Sequence, residues 1–131
     1  IGPATGGIIL SQVTARLLGV RSIFTERENG KMTLRRGFHI DPGEKVLLVE
    51  DVVTTGGSIR EVVDVVKEAG GDIAGIGLFV DRSGGKADYG IPAEKVFPLV
   101  RLTVPTYTPE ECPLCKSGVA LTERGSHHLK K

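Results

Sequence analysis

The segment Val46 to Val63, VLLVEDVVTTGGSIREVV, constrains the fold more than any other part of the chain. Four apolar residues in a row suit a strand buried on both faces, as in a parallel sheet covered by helices. Glu50 and Asp51 follow at once. Two adjacent carboxylates repel, so a strand that ends on them needs something to compensate them. Thr54-Thr55-Gly56-Gly57-Ser58 then supplies small side chains, hydroxyls and successive backbone N–H groups, after which Ile59, Val62, Val63 and Val66 recur at helical spacing. Ser58 and Glu61 fit the S-x-x-E capping pattern, so a helix is expected from Ser58 until Gly70-Gly71 ends it. The next apolar run, IAGIGLFVD, closes on Asp81-Arg82-Ser83-Gly84-Gly85. Strand, helix and strand in this order make a βαβ unit with a right-handed crossover.

The remaining segments fit around that unit. IGPATGGIIL is a glycine-rich loop feeding a helix over Ile8 to Leu18, in which Ile9, Val13 and Leu17 form the apolar stripe and Gly19 is the stop. VRSIFTER and MTLRRGF flank Glu28-Asn29-Gly30-Lys31, and Asn-Gly is a strong hairpin signal. The hairpin carries Arg27, Lys31, Arg35 and Arg36, with Glu26 and Glu28 between them. KVFPLVRLTV reads as one or two short strands, with Pro98 arguing for an edge or a break. Thr108-Pro109-Glu110-Glu111 reads as a further helix start, and TERGSHHLKK as a frayed polar end. The expectation is an α/β fold, a mostly parallel sheet flanked by helices, forming a single domain over residues 1–131.

A length of 131 residues with 40% hydrophobic content suits one core. Lys and Arg number 17 against 16 Asp and Glu, a formal charge of +1, which leaves no electrostatic footprint for duplex nucleic acid or a membrane surface. A small-molecule partner is therefore expected. No apolar run approaches the roughly 20 residues of a membrane span and no charged-then-apolar leader opens the sequence, so the expected location is the cytoplasm. Cys112-Pro-Leu-Cys115 suits half a zinc site, a redox pair or two unengaged thiols. Zinc needs four ligands and the further candidates are His127 and His128, so unengaged thiols are the favoured reading. His39, before a Pro-Gly turn, reads as an exposed strand-end residue.

In an open α/β sheet, ligands collect beyond the carboxyl ends of the strands. Three segments fall there: Gly2 to Gly7, Glu50 to Ser58, and Asp81 to Lys86. Thr54 to Ser58 at a helix N-terminus is the arrangement a phosphate monoester needs. Glu50 and Asp51 offer acceptors for a pair of vicinal sugar hydroxyls, or for Mg²⁺ directly or through water. Acceptors followed by an anion cradle suit a sugar phosphate. The chain contains no G-x-x-x-x-G-K-[ST], and GPATGG lacks the G-x-G-x-x-G spacing.

VLLVEDVVTTGGS resembles the signature with which type I phosphoribosyltransferases bind 5-phosphoribosyl 1-pyrophosphate (PRPP). GPATGG, ERENGKMTLRRGF, VDRSGG and YTPEECPLCKSG narrow the resemblance to the orotate phosphoribosyltransferases, over Ile1 to about Gly118. It implies a Rossmann-like core with a β-hairpin catalytic loop, and transfer of the phosphoribosyl group of PRPP to orotate with release of pyrophosphate. Gly2, Pro3, Ala4, Thr5, Gly6 and Gly7 would form the pyrophosphate loop. Glu50 and Asp51 would contact the ribose hydroxyls, and Thr54, Thr55, Gly56, Gly57 and Ser58 would cradle the 5-phosphate. Thr54 would also lie near the base, and Arg82 would meet orotate. Arg27 and Lys31, with Asp51, would be the catalytic residues, Lys31 assisting the leaving group. Displacement at the anomeric carbon puts negative charge on pyrophosphate, which cations and N–H donors stabilise. Mg²⁺ would be held mainly through PRPP, with Glu50 or Asp51 as the protein acids within the motif. The loop carrying Arg27 and Lys31 would be shared between the subunits of a homodimer.

Two departures from the family pattern bear on function. Many relatives have a lysine where this chain has Gly6, and a second basic residue where it has Glu28, so pyrophosphate would lean on backbone N–H groups, Arg27 and Lys31. Family members also carry an N-terminal segment of several dozen residues that covers the active site and supplies base contacts. The sequence opens without it, and Ile1 falls where a core strand should be finishing. The expectation is the PRPP-binding portion of such an enzyme, which keeps the PRPP site, turns over orotate poorly and, having lost a strand or part of one, leaves an apolar sheet edge uncovered as an aggregation liability. The alternatives are a transferase for another base, a PRPP-sensing regulatory module without catalysis, and a zinc-binding domain built on Cys112 and Cys115.

Overall fold

The computed structural model describes residues 1–105, 107–108 and 110–119. Its elements are β1 (Gly2–Pro3), α1 (Gly6–Leu18), β2 (Phe24–Glu28), β3 (Lys31–Leu34), β4 (Lys45–Val53), α2 (Gly57–Glu68), β5 (Asp72–Asp81), β6 (Val96–Arg101) and α3 (Pro113–Lys116), with a 3₁₀ turn at Ala93–Lys95 leading into β6. β4, β5 and β6 pair in parallel in that order. β1 pairs in parallel with β2, which pairs antiparallel with β3. Ile1 joins the two groups. Its amine donates to the Leu47 carbonyl at 2.8 Å and its carbonyl accepts from Val49 N–H at 2.8 Å, the slanted pattern of parallel pairing. The carboxyl ends of β1, β4 and β5 therefore share one edge, as the mostly parallel α/β reading expects.

β4 does not end on Glu50 and Asp51. It runs on to Val53, because β5 continues to pair with it through Glu50↔Leu78, Val52↔Val80 and Val53↔Asp81. Leu48, Ile76 and Leu78 on one sheet face close against Ile59, Val62, Val63 and Val66 of α2, and all seven are buried. The expected stripe of α2 is thus the core. Its expected cap is not: α2 starts at Gly57, its N-cap is Gly56 at φ +86°, and no side chain caps it. Glu61 instead reaches across to Arg27, and a bidentate ion pair outcompetes a bond back to a helix start that glycine has already turned.

α1 contains the expected helix and ends at Gly19 in the left-handed region (φ +66°). Its apolar stripe does not face the core. Ile9 and Leu17 are 74% and 82% exposed, and the buried positions are Gly7, Ser11 and Ala15. Small residues let the helix lie close on the sheet, where a Cβ on Gly2 would stand 2.4 Å from the Gly7 carbonyl oxygen. Ser11 satisfies its hydroxyl on the Ile8 carbonyl at 2.9 Å, which makes its burial tolerable.

The hairpin turns at Asn29 (φ +52°) and Gly30 (φ +82°), as Asn-Gly predicts. β6 is one strand at the sheet edge, with Pro98 opposite Leu78. The helix expected near Thr108 starts at Pro113 instead, after the N–H groups of Glu111 and Cys112 bond back to the Thr108 carbonyl. Pro109 and the tail with His127 and His128 lie outside the described residues. On the face opposite α2, α1 covers the β4 side, while Phe79, Phe97 and Leu99 of β5 and β6 stay exposed. No helix among the described residues is long and apolar enough to cross a membrane.

Candidate functional site

A pocket of about 130 Å³ opens at the carboxyl edge, between the loop after β1 and the loop from β4 to α2. Pro3 and Ala4 form one side, and Glu50 with Thr54, Thr55, Gly56, Gly57 and Ser58 the other. The two segments come together because Ile1 and β1 lie beside β4. Ala4 N–H donates to the Thr25 carbonyl at 2.7 Å, which anchors the first loop to β2, and the Ala4–Thr5 peptide is cis. In the second loop the positive φ of Gly56 turns the chain into α2, and Thr55 Oγ1 accepts from Gly57 N–H at 3.4 Å. The first turn of α2 has neither a side-chain cap nor an acidic residue. Apart from the Gly57 N–H that Thr55 engages, the N–H groups at the start of the helix, those of Ser58 and Ile59, therefore remain available to an anion.

A proton compensates the adjacent acids. Glu50 is buried, and burial, followed by the neighbouring Asp51 carboxylate, pushes its pKa up to about 8. It is therefore neutral at neutral pH while Asp51 is exposed. Asp51 Oδ1 accepts from Val52 N–H at 2.7 Å, and its carboxylate lies over Gly6, where a Cβ would come within 2.1 Å of Oδ2. The acidic pair thus presents one neutral donor-acceptor beneath the pocket and one charged acceptor against the first loop.

Arg82 follows directly on β5, and its N–H donates to the Val53 carbonyl at 2.8 Å, beside Thr54. Its Nε is buried without a partner, an unsatisfied cationic donor. Asp81, also buried, accepts from Ser83 N–H at 2.8 Å and shapes the turn. Two wall residues escaped sequence reasoning. Ala87 and Tyr89 back the cradle, and a Cβ on Gly56 would meet Ala87 Cβ at 3.0 Å and Tyr89 Cε1 at 3.3 Å. Nothing local in the sequence marks them, since they return to the cradle from a separate loop.

Arg27 and Lys31 are not gathered into the pocket. Arg27 pairs with Glu61 through Nη1–Oε2 at 2.6 Å and Nη2–Oε1 at 2.8 Å, and Lys31 Nζ lies 3.9 Å from Glu68. Cys112 and Cys115 are free thiols, and no group of three metal-ligating side chains forms among the described residues. His39 is exposed, with Asp41 3.9 Å away.

Residues 1–104 match the phosphoribosyl transferase domain family. The solved structure of adenine phosphoribosyltransferase from Rhodothermus marinus superposes with a TM-score of 0.64 at 21% identity, over 77% of this chain and 67% of that one. That of orotate phosphoribosyltransferase from Aeropyrum pernix gives 0.55 at 23%, over 77% and 58%. Both likenesses speak to the fold. Orotate phosphoribosyltransferase of Thermotoga maritima is 56% identical over 130 residues, which is 99% of this chain and 68% of that protein. The enzyme of the same name from Desulforamulus reducens is 57% identical over 129 residues, 98% of this chain and 66% of that protein. The chain therefore belongs to the phosphoribosyl transferase domain family and, within it, to the orotate phosphoribosyltransferases. It spans about two thirds of the length of these relatives.

Proposed function

We propose that the chain transfers the phosphoribosyl group of PRPP to orotate, giving orotidine 5′-monophosphate and pyrophosphate, a step of pyrimidine biosynthesis. The observation that carries this reading is the single pocket in which Pro3 and Ala4 meet Glu50 and Thr54 to Ser58, in a chain of this family. The uncapped start of α2 would take the 5-phosphate, and Glu50 and Asp51 the ribose hydroxyls. The loop from Gly2 to Gly7 would take the pyrophosphate through its N–H groups. Arg82, with its unpartnered Nε, would meet the carboxylate or carbonyl oxygens of orotate.

Magnesium fits this site only through the ligand. With no three protein ligands converging among the described residues, PRPP oxygens would supply most of its coordination and Glu50 or Asp51 the rest. Its contribution would be to neutralise charge developing on the leaving pyrophosphate. The reading includes a cytoplasmic homodimer in which the hairpin with Arg27 and Lys31 closes over the pyrophosphate.

The test is product formation from PRPP and Mg²⁺ with orotate, run beside adenine, guanine and uracil. Orotidine monophosphate should form with orotate alone, and Lys31→Ala should lower turnover by about a hundredfold, the scale of losing one transition-state charge contact. Turnover of a purine would overturn the base assignment. PRPP binding without turnover of any base would leave a sensor.

A further inference from the structure

Two of the hairpin's cations, Arg27 and Lys31, lie along α2 in a definite order. Arg27 binds Glu61, one helical turn from the start of the helix at Gly57, and Lys31 lies by Glu68, the last residue of α2. At 1.5 Å per residue, Glu68 stands about 16 Å along the axis from the helix start. The hairpin tip therefore folds away from the phosphate cradle and down the outer side of α2. Arg27 Nη1 also donates to the Gly30 carbonyl at 2.9 Å, so the guanidinium that grips α2 also braces the turn. Met32, opposite Arg27 and next to the turn, is buried, whereas Asn29, Gly30 and Lys31 rim an open groove with Glu61, Asp64 and Glu68. Beyond Met32 the turn itself is held to α2 by the Arg27–Glu61 and Lys31–Glu68 contacts.

We infer, on the reading of the pocket between the Gly2–Gly7 loop and the start of α2 as a PRPP site, that Glu61 is a positioning residue that docks the hairpin on α2 and competes with the ligand's pyrophosphate group for Arg27. A guanidinium pairs in the same fork geometry with a carboxylate and with a phosphate, and it cannot serve both in full at once. The docked hairpin is the resting state. Binding a polyphosphate exchanges one bidentate partner of Arg27 for another and frees the tip, while the weaker Lys31–Glu68 contact follows. Both residues of the Arg27–Glu61 pair are about two-fifths exposed, which keeps the latch weak enough for a ligand to open.

The experiment measures the affinity of inorganic pyrophosphate with Mg²⁺ for the wild type, Glu61→Gln, Arg27→Ala and the double variant, with amide hydrogen exchange across residues 27–33. Removing the competitor should tighten pyrophosphate binding in Glu61→Gln by about two- to fivefold, the range an exposed ion pair sustains. It should also speed exchange at the tip, and the Glu61→Gln effect should vanish in the Arg27→Ala background. A purely structural strut would speed exchange but leave affinity unchanged or lower, which overturns the latch. Unchanged exchange overturns it as well. Failure of pyrophosphate to bind even the wild type would instead overturn the reading of Gly2 to Gly7 as the pyrophosphate loop, and the latch with it.

Discussion

Glu50 keeps its proton because a carboxylate at its depth in the sheet would stand without solvent and beside Asp51. Its pKa in the folded chain, about 8, lies above the ordinary 4.5. Between those values the folded state holds a proton that the unfolded state has released. The contribution is thus fully present below pH 4.5 and is lost as pH rises towards 8. Glu50→Gln, neutral throughout, should gain stability relative to the wild type across that window. Urea denaturation of both proteins from pH 5 to pH 8.5 checks this, and a constant difference would mean that Glu50 is ionised in the folded chain.

At the scale of elements, the two helices show what a sequence reveals and what it hides. The valines and isoleucine of α2 mark its packed face because they differ sharply in hydropathy from their neighbours. In α1 the packed face is Gly7, Ser11 and Ala15. Residues chosen for close approach carry almost no hydropathy signal, so Ile9, Val13 and Leu17 attract the eye instead. Leu48→Ala, in a wholly buried position, should cost about 2–5 kcal/mol, whereas Leu17→Ala should stay within about 0.5 kcal/mol. Shifts in the urea midpoint at constant slope measure both, and a large cost at Leu17 would place α1's stripe in a core. The strand, the small-residue loop that leads into α2 and the hairpin were legible because each is a local pattern. The Arg27–Glu61 pair joins residues 34 apart, and the wall formed by Ala87 and Tyr89 is equally remote from Gly56. Such partners are set by how β2, α2 and the later loop are laid side by side, which no window of sequence contains.

For the molecule as a whole, the two sheet faces are unequal. α2 seals one, while on the other Gly77 and Phe97 pair in register beside the exposed Phe79 and Leu99. A parallel sheet normally has both faces covered, and a bare apolar face of this kind favours association. The double substitution Phe97→Ser with Leu99→Ser should lower self-association without moving the pocket, which lies at the carboxyl edge beside α2. Light scattering against concentration, beside PRPP binding, is the measurement. Unchanged scattering would show that this face takes no part in association.

The contact between Gly6 and Asp51 bears on how such a loop can change over generations. A side chain at position 6 and the present placement of the Asp51 carboxylate exclude each other in space. A lysine in this loop would displace the exposed Asp51 carboxylate from its place against the Val52 amide, a shift that a turn of that side chain can supply. What stands at position 6 thus sets where the Asp51 carboxylate rests, and with it which acceptor the first loop meets.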